Sequence, residues 1–463
     1  MDPVLVIGGG LAGCEAAWQI AERGGDVVLI EMRPVQRTPA HQGDRLAELV
    51  CTNSFKSEDT GNAHGLLKAE MRDLGSLVLA AAAETRVPAG TALAVDRIGF
   101  AAAVTARIAA HPRITIERRE VRALPPTPAV IATGPLTSDA LTRDIAALLG
   151  DDGLAFYDSI APIVSFDSID TGIAFFASRW DKGDGDDYLN CPMTRAEYYA
   201  FIDALHAADV YPGHDWEQLP HERVPAAGPA AARAADDTPY FEGCLPIEVM
   251  AERGPDTLRF GPMKPIGLRD PRTGQRPYAV VQLRREDATG QMWNLVGFQT
   301  RLRTGEQRRI FRMIPGLANA EFLRTGSIHR NTYLNFPARL DPCGAPPARP
   351  DLIFAGQLTG VEGYMESAAS GILAGINLLC VVRGDAPVLP PSTTMLGGLL
   401  RYLRTAEPRR FQPMNSNFGL LDVMPGDPRR KDERRARTVI RARADFAAWL
   451  EAHDLALARE PVA

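Results

Sequence analysis

Cysteine is scarce in this chain of 463 residues, which contains six cysteines, at positions 14, 51, 191, 244, 343 and 380. Their spacing gives no CxxC pair and no cluster with histidines, which disfavours both a structural zinc site and a disulfide framework. We therefore expect a protein without a metal, in which the thiols stay reduced and most of them are structural.

Long apolar runs and a basic amino-terminal segment are lacking as well. Met1, Asp2 and Pro3 lead directly into a short apolar stretch, and no run approaches the roughly 18 residues that a membrane span needs. The formal net charge is only −6, which argues against a surface coated throughout by nucleic acid. We expect a cytoplasmic protein with two or three domains, since domains average about 150 residues.

A glycine-rich turn, GGGLAG, opens the patterned part of the chain. It lies between a strand predicted over residues 4–7 and a helix predicted over residues 14–23, and a second predicted strand, residues 27–30, ends at an acid. In dinucleotide sites the glycines allow the tight turn, the approach of a pyrophosphate and close helix packing, while the acid binds a ribose. The alternative is a glycine turn without a ligand. The predicted site comprises Gly8, Gly9, Gly10, Leu11, Ala12, Gly13 and Glu31.

Two later segments predict a return to the same sheet. Residues 130–138 read VIATGPLTS, and residues 351–369 read DLIFAGQLTGVEGYMESAA, each an apolar strand followed by a glycine turn. This layout is typical of two-domain FAD enzymes, in which a second helix N-terminus stabilises negative charge on the reduced flavin. An ordinary αβ unit is the alternative.

The predicted fold class is therefore α/β, with an FAD-binding doubly wound Rossmann-type domain, an inserted α+β domain and a C-terminal helical segment. The predicted FAD-binding domain comprises residues 1–160 and 329–390, the inserted substrate- and RNA-facing domain residues 161–328, and the C-terminal segment residues 391–463. Within the insertion, residues 225–239 predict a surface loop, and residues 257–268 and 279–283 predict short strands and turns.

Two cysteines stand in unusual surroundings. Cys51 lies in the polar stretch ELVCTNSFKS, where Lys56 is available to favour a thiolate, so it is either a chance core contact or a nucleophile. Cys244, in FEGCLP, is flanked by Gly243 and Pro246, which predict a turn.

Two segments are strongly basic. Residues 301–312 read RLRTGEQRRIFR, and residues 429–443 read RRKDERRARTVIRAR and lead into a predicted amphipathic helix. Such segments are either solvated helix faces or contacts for RNA phosphates. The RNA candidates are Arg301, Arg303, Arg308, Arg309, Arg434 and Arg435.

These motifs together resemble one family, the folate- and FAD-dependent tRNA (uracil-5-)-methyltransferases of bacteria. The resemblance runs almost end to end and is carried by blocks in the same order, among them VIGGGLAGCEAAWQIAERG, ELVCTNSFKS, RVPAGTALAVDR, FEGCLPIEVMAERG, TLRFGPMKPIGL, IHRNTYLNFP and AGQLTGVEGYMESAASGILAGIN. It implies methylation of uracil C5 at the T-loop uridine, position 54, of tRNA. It further implies FAD, 5,10-methylenetetrahydrofolate as one-carbon donor, and NADPH or NADH as reductant.

The resemblance also assigns residues. It places Gly356, Gln357 and Gly363 near the flavin. Cys244 matches the cysteine that adds to uracil C6, although only the resemblance selects it over Cys191. Cys51 matches a second essential cysteine, either a general acid/base at C5 or a protector of the flavin adduct. His329 matches a histidine that stacks on the folate pterin, and by pattern alone it reads as structural.

Three alternatives stay open. One is the related class of FAD proteins that modify the wobble uridine of tRNA, which lack the FEGCLPIEVMAERG block. Another is the same chemistry on a ribosomal RNA uridine. The last is a flavin-bound RNA chaperone without methyl transfer, in which both cysteines are incidental.

Overall fold

The computed structural model describes residues 2–38, 40–150, 154–182, 187–211, 231–233, 239–241, 245–422, 424 and 426–457, with the backbone alone at 154–160, 231–233, 239–241, 328–332 and 410. The strands over these residues are β1 (Val4–Ile7), β2 (Val27–Glu31), β3 (Ser54–Ser57), β4 (Arg86–Val87), β5 (Ala92–Val95), β6 (Ile114–Arg118), β7 (Ala129–Ile131), β8 (Leu154–Ile160), β9 (Ile163–Ser165), β10 (Phe175–Phe176), β11 (Tyr188–Met193), β12 (Ala231–Arg233), β13 (Pro239–Phe241), β14 (Ala279–Arg285), β15 (Met292–Leu295), β16 (Phe322–Arg324), β17 (Ser327–Tyr333) and β18 (Leu352–Phe354). The helices are α1 (Leu11–Glu22), α2 (Ala63–Asp73), α3 (Leu77–Glu84), α4 (Arg97–Ala110), α5 (Asp139–Leu149), α6 (Arg195–His206), α7 (Ile247–Glu252), α8 (Thr257–Phe260), α9 (Thr304–Phe311), α10 (Phe336–Arg339), α11 (Tyr364–Arg383), α12 (Met395–Thr405) and α13 (Lys431–Ala452).

A parallel sheet in the order β18-β7-β1-β2-β6 forms the centre of the dinucleotide fold. Its strands are short apolar runs such as VLVI and VVLIE, as expected for a sheet buried on both faces. Helices α1 and α11 contribute to the core on one side, and α5 packs against another cluster that includes β7 and β18. The predicted α/β class is confirmed, and the last strand returns to the sheet from more than 200 residues downstream, as the sequence predicts.

Helices α1 and α11 cross at very short distance. A Cβ atom added to Gly371 would lie 2.1 Å from the carbonyl oxygen of Ala12, and one added to Gly375 would lie 2.6 Å from that of Ala16. Glycine is therefore required at both positions on α11. This helix is long and apolar enough to cross a membrane by composition, but 72% of its apolar window is buried inside the protein. It is therefore a core helix.

A six-stranded sheet in the order β10-β11-β14-β15-β9-β16 forms the second domain, and its strand pairs are antiparallel. Helices α6, α7 and α9 cover it with large buried rings such as Tyr198, Phe201 and Phe311. A capping box at Thr194 and Glu197 starts α6. Residues 257–268 were expected as short strands and turns, but they begin with α8 and continue as turns, so the strand prediction was wrong there.

The chain passes between the two domains along a pair of antiparallel strands, β8 and β17. Strand β13 pairs parallel to β8, and β12 pairs with β13, so residues 231–233 are a strand within a segment expected to be a surface loop. The backbone pairing with β13 is the reason for this difference. The predicted boundary at 160/161 falls at the end of β8, and the one at 328/329 falls inside β17.

The C-terminal segment packs on the dinucleotide domain. Phe446, Trp449 and Leu450 of α13, the predicted amphipathic helix, belong to the same core as α1 and α11. The buried carboxylate of Glu70 accepts 2.8 Å hydrogen bonds from the first two N–H groups of α12 and so caps this helix. The segment is therefore part of that domain's core in the described structure.

Candidate dinucleotide and thiol site

The glycine turn between β1 and α1 has the geometry of a dinucleotide cradle. Gly8 has a φ of +106°, and a Cβ at Gly13 would lie 1.7 Å from the carbonyl oxygen of Gly8, so neither position accepts a side chain. A Cβ at Gly10 would meet no atom within 4 Å among the described residues, and no side chain in this part of the protein caps α1. The helix N-terminus therefore faces open space that a pyrophosphate fits.

Glu31 ends β2 beside this turn. Its Oε2 accepts a 2.9 Å hydrogen bond from the N–H of Gly9, and its Oε1 accepts bonds from the backbone and the guanidinium of Arg33 at 3.0 Å. Burial raises the pKa of Glu31, but the bonds from Arg33 and Gly9 outweigh burial, and the net pKa is lowered. The carboxylate is thus ionised and placed to accept hydrogen bonds from a ribose. Arg33 also donates to Glu48.

The second predicted cofactor segment lies against the first. Gly356 and Gly363 have φ values of +77° and +109°, and Gly363 directly precedes α11. A Cβ on Gly356 would lie 3.0 Å from the Cβ of Ala12 in α1. Gln357 donates a 2.9 Å hydrogen bond to Glu362 across the turn. The two glycine turns, more than 340 residues apart in the chain, therefore meet at one edge of the sheet, and their residues fit FAD.

Cys51 lies beside this edge and is half-buried. Its backbone N–H donates a 2.8 Å hydrogen bond to the hydroxyl of Tyr364, the residue that follows Gly363. Burial, and after it the neighbouring Cys51, raise the pKa of Tyr364, so the hydroxyl stays neutral at physiological pH. The structure thus brings the predicted thiol to the second cofactor segment.

Two guanidinium groups bind the carbonyl oxygens of the Cys51 loop. Arg97 donates to the carbonyls of Leu49 and Cys51, the latter at 3.1 Å. Arg324, from β16 of the antiparallel domain, donates to the carbonyl of Val50 at 2.9 Å. Three successive carbonyls are therefore held by cations.

Arg97 is itself fixed from both domains. It is the first residue of α4, which Asp96 caps by accepting a 2.7 Å bond from the N–H of Gly99. The carboxylate of Glu286, with 1% of the side chain exposed, pairs with Arg97 at 2.7 Å. Burial acts to lower the pKa of Arg97, but the charge and hydrogen bond of Glu286, together with Tyr364 and Cys51, outweigh burial and the pKa is raised. Lys56, the cation that the sequence suggested for the thiol, is exposed, and the cations that bind this loop are Arg97 and Arg324.

The residues after Cys51 are bound to strand β14 of the antiparallel domain. Arg284 donates to the hydroxyl of Thr52 at 2.6 Å and to the amide oxygen of Asn53 at 3.0 Å. The amide nitrogen of Asn53 donates to the carbonyls of Val95 and Arg285, both at 2.8 Å. The loop that carries Cys51 is thus attached to both domains.

Sequence reasoning missed Arg97, Arg284, Arg324 and Tyr364. Arg97 and Tyr364 stand in the blocks RVPAGTALAVDR and AGQLTGVEGYMESAASGILAGIN, and those blocks were the available signal. Arg284 and Arg324 stand in none of the matched blocks, and only the folded contact reveals them.

Comparison with known proteins places this arrangement in a family. A family model described as Glucose inhibited division protein A matches residues 3–386. A Geobacter sulfurreducens protein named methylenetetrahydrofolate–tRNA-(uracil-5-)-methyltransferase TrmFO is 55% identical over 448 residues, which cover 96% of this chain and 98% of that protein. The chain belongs to the TrmFO family. A TrmFO protein from Rhodospirillum rubrum is also 55% identical, over 97% of this chain and 92% of its own length.

Solved structures extend the likeness at the level of fold. A structure of Aquifex aeolicus GidA has a TM-score of 0.66 and 18% identity, and the match covers 99% of this chain and 76% of that one. Another crystal form of the same protein gives a TM-score of 0.65. At this identity the match shows a shared fold, whereas the TrmFO relatives show the family that the sequence resemblance predicted.

Of the remaining cysteine and histidine candidates for the TrmFO chemistry, only Cys191 has a described side chain. Cys244 lies outside the described residues, so its approach to Cys51 stays a prediction. His329 pairs with Asp158 in the register of β17 and β8, and its side chain lies outside the described part. Cys191 is fully buried in β11, and burial raises its pKa to about 12, which does not suit a nucleophile. Among the described residues, no group of three or more histidines, cysteines and acids could hold a metal.

The predicted RNA contacts divide into buried and accessible residues. Arg301 was expected at the surface, but it is only 5% exposed, and its backbone N–H donates to the buried carboxylate of Glu248 at 2.7 Å. It lies in the stretch that packs on α7, which explains why the prediction of a phosphate contact was wrong for this residue. Arg303, Arg308 and Arg309 are exposed on and beside α9. On α13, the two candidates are half-buried: Arg434 and Arg435.

Proposed function

We propose that this chain methylates C5 of the T-loop uridine, position 54, of tRNA, with 5,10-methylenetetrahydrofolate as one-carbon donor. FAD with NADPH or NADH forms the reducing system, and the protein acts in the cytoplasm. The observation that carries the proposal is the 55% identity to TrmFO proteins over nearly the whole of both chains. The name of those proteins gives the donor, the tRNA substrate and the uracil position, and family membership brings folate-dependent tRNA uracil-5-methylation to this chain.

Residues of the parallel domain would hold FAD. The open N-terminus of α1 at Gly10 suits the pyrophosphate, the ionised Glu31 suits a ribose, and the turn from Gly356 to Gly363 suits the ring system. When bound, the flavin supplies the electrons that bring the one-carbon unit from the oxidation level of a methylene to that of a methyl group.

The two predicted cysteines supply complementary chemistry. Uracil C5 is a weak nucleophile, and addition of a thiolate to C6 gives C5 the character of an enolate carbon. We assign this addition to Cys244 on the family resemblance. Once C5 has formed its new carbon–carbon bond, the C5 proton has to leave before the thiol can be eliminated from C6. We assign the handling of that proton to Cys51.

The backbone around Cys51 supports this role. The N–H of Cys51 and the carbonyls of residues 49–51 are bound by Tyr364, Arg97 and Arg324. With the backbone fixed, the position of the sulfur depends mainly on one side-chain torsion, χ1. A fixed thiol at the cofactor edge is what a proton-transfer group near C5 requires.

The experiment that tests the proposed function is direct. Purified holoprotein is incubated with NADPH, methylenetetrahydrofolate and a tRNA transcript without modifications, and 5-methyluridine is mapped. We expect the product at position 54 and none on a transcript in which cytidine replaces that uridine. Methylation of ribosomal RNA but not of tRNA would refute the assignment of tRNA as the substrate. Methylation at the wobble position would refute the assignment of position 54.

A further inference from the structure

The antiparallel domain displays two large aromatic rings. Trp180 is 66% exposed and Phe260 is 76% exposed. Phe260 ends α8, and the turn segment that follows it reaches Gly267, whose carbonyl accepts a 3.0 Å bond from the N–H of Trp180. The rings therefore belong to one continuous stretch of surface, formed by residues 176–182 and 257–276 and called the aromatic surface below.

The backbone presents Trp180 in an uncommon way. Trp180 and Asp181 have φ values of +60° and +50°, a region that bulky residues rarely adopt. A Cβ on Gly267 would lie 2.9 Å from the indole ring, so one ring face rests on a glycine. Arg179 anchors this turn by donating to the carbonyl of Ile266 at 2.7 Å. The turn exposes the indole ring to solvent although its backbone conformation is strained. Strained conformations of this kind are typical of functional positions.

The charge of the aromatic surface is opposite to that of the whole chain. Residues 176–182 and 257–276 contain seven arginines and lysines, against the two acids Asp181 and Asp270, whereas the formal net charge of the protein is −6. One of these acids, Asp270, is already paired with Arg272 at 2.7 Å. Exposed Lys264 lies in sequence between Phe260 and Gly267, the glycine on which the Trp180 ring rests. Cations interleaved with exposed rings match single-stranded RNA, which offers phosphates and base faces together.

Strand β14 links the aromatic surface to the Cys51 loop. Gln282 accepts a 2.9 Å bond from Arg179, next to Trp180, and Arg284 donates to Thr52, next to Cys51. Residues two apart in a strand point to the same face and lie about 7 Å apart along it. Both loops are therefore anchored on the same face of β14.

We propose that the aromatic surface is a contact surface for the tRNA arm, on which Trp180 and Phe260 stack on unpaired bases and Lys264 binds a phosphate. This inference rests on the proposed function for the identity of the RNA. A uridine in a folded arm must leave its stack before a thiol reaches C6, and the neighbouring loop bases then need new stacking partners. Rings anchored beside the Cys51 loop provide them.

The test measures binding of a fluorescent T-arm RNA to holoprotein by anisotropy at several KCl concentrations. Trp180→Ala and Phe260→Ala should each weaken binding by about tenfold, as expected for the loss of one stacked base, with an unchanged salt dependence. Lys264→Gln should weaken binding less and reduce the slope of log Kd against log salt concentration by about one. Matched controls with exposed side chains elsewhere, Val35→Ala and Arg143→Gln, should leave both quantities unchanged.

Several outcomes would refute the proposal that the aromatic surface binds the tRNA arm. One is wild-type affinity in Trp180→Ala and Phe260→Ala when flavin content and melting temperature show folded protein. Another is equal weakening by Val35→Ala, which indicates a nonspecific effect. A loss of self-association in Trp180→Ala, seen by sedimentation and without a loss of RNA affinity, would assign the rings to contact between copies of the chain.

The proposed RNA-binding role of the aromatic surface and the proposed methylation activity can be refuted independently of each other. At saturating tRNA the ring variants should retain the wild-type kcat and show a raised KM, because the rings are assigned to binding. Wild-type methylation with unchanged KM in the variants refutes the surface and leaves the function intact. Wild-type RNA binding through the rings without any 5-methyluridine refutes the function and leaves the surface intact.

Discussion

The N–H of Cys51 donates a 2.8 Å hydrogen bond to the hydroxyl of Tyr364, the first residue of α11. These residues are 313 positions apart in the chain. Tyr364 directly follows Gly363, so the turn assigned to the flavin and the backbone of the thiol share one neighbour. The position of Cys51 therefore depends on the correct seating of α11.

Tyr364→Phe removes the acceptor of this bond. A buried N–H without a partner costs about 1–3 kcal/mol, so the loop should populate other conformations. We expect faster alkylation of Cys51 by iodoacetamide, read by peptide mass spectrometry, and a lower kcat. Tyr402→Phe is the matched control, because its hydroxyl also bonds a backbone group, the carbonyl of Gln412 at 2.9 Å. Equal alkylation rates in Tyr364→Phe and the wild type would show that the bond does not order the loop.

Arg97→Met leaves the buried carboxylate of Glu286 without its cation. Breaking a buried pair typically costs about 3–5 kcal/mol, and the free energy of unfolding in urea should fall by roughly that amount. The double variant with Glu286→Gln should regain part of it, since the orphaned charge is then gone. If the double variant is no more stable than Arg97→Met, the loss comes instead from the bonds to Leu49 and Cys51.

Gly10→Ala and Gly13→Ala separate cofactor binding from folding. A Cβ at Gly13 would collide with the backbone of Gly8, so Gly13→Ala should lower the melting temperature of the apoprotein. A Cβ at Gly10 meets no described atom within 4 Å but enters the predicted pyrophosphate space. Gly10→Ala should therefore keep the apoprotein stable and weaken FAD binding by about tenfold or more, equivalent to about 1.4 kcal/mol. Unchanged FAD affinity in Gly10→Ala would contradict the assignment.

Cys244→Ala should abolish 5-methyluridine formation while the purified protein remains yellow with bound flavin. Cys191→Ala is the control, because Cys191 is buried and burial raises its pKa to about 12, so its turnover should persist. Flavin content is measured by absorbance and product by mass spectrometry. Turnover retained in Cys244→Ala would remove Cys244 from the chemistry, and loss of the flavin would indicate a structural role.

The buried carboxylate of Glu366 should make the stability of the fold depend on pH in the acidic range. Burial raises its pKa, but the contact with His64 at 3.4 Å, the charge of Lys56 and the bonds from Ser416 outweigh burial and lower the pKa to about 2. A lowered carboxyl pKa stabilises the fold above the unfolded value of about 4.5, and this stability is lost as the pH falls toward 2. The contribution is about 3 kcal/mol at most. Glu366→Gln should flatten the fall in unfolding free energy over that range, and the exposed Glu451→Gln should not.

The sequence predicted those features of the fold that are determined by residues close to one another in the chain. The order of strand, glycine turn, helix and acid identifies the dinucleotide cradle, because each step is a short-range requirement on backbone or charge. The sequence did not predict the interactions of the Cys51 loop, because Arg284 and Arg324 belong to strands of the other domain. No periodicity in the sequence identifies the residues that these two arginines contact. Arg301 was misjudged because a run of arginines reads as surface, whereas its neighbours are buried against α7.

The bonds from Arg284 to Thr52 and Asn53 show that the inserted domain contributes to the conformation of the Cys51 loop. The peptide that carries Cys51 is encoded in the dinucleotide domain, yet its shape is completed by a strand encoded more than 200 residues later. Swinging one domain against the other would therefore move the sulfur relative to the flavin segment. The position of the thiol is in this way coupled to the contact between the two domains.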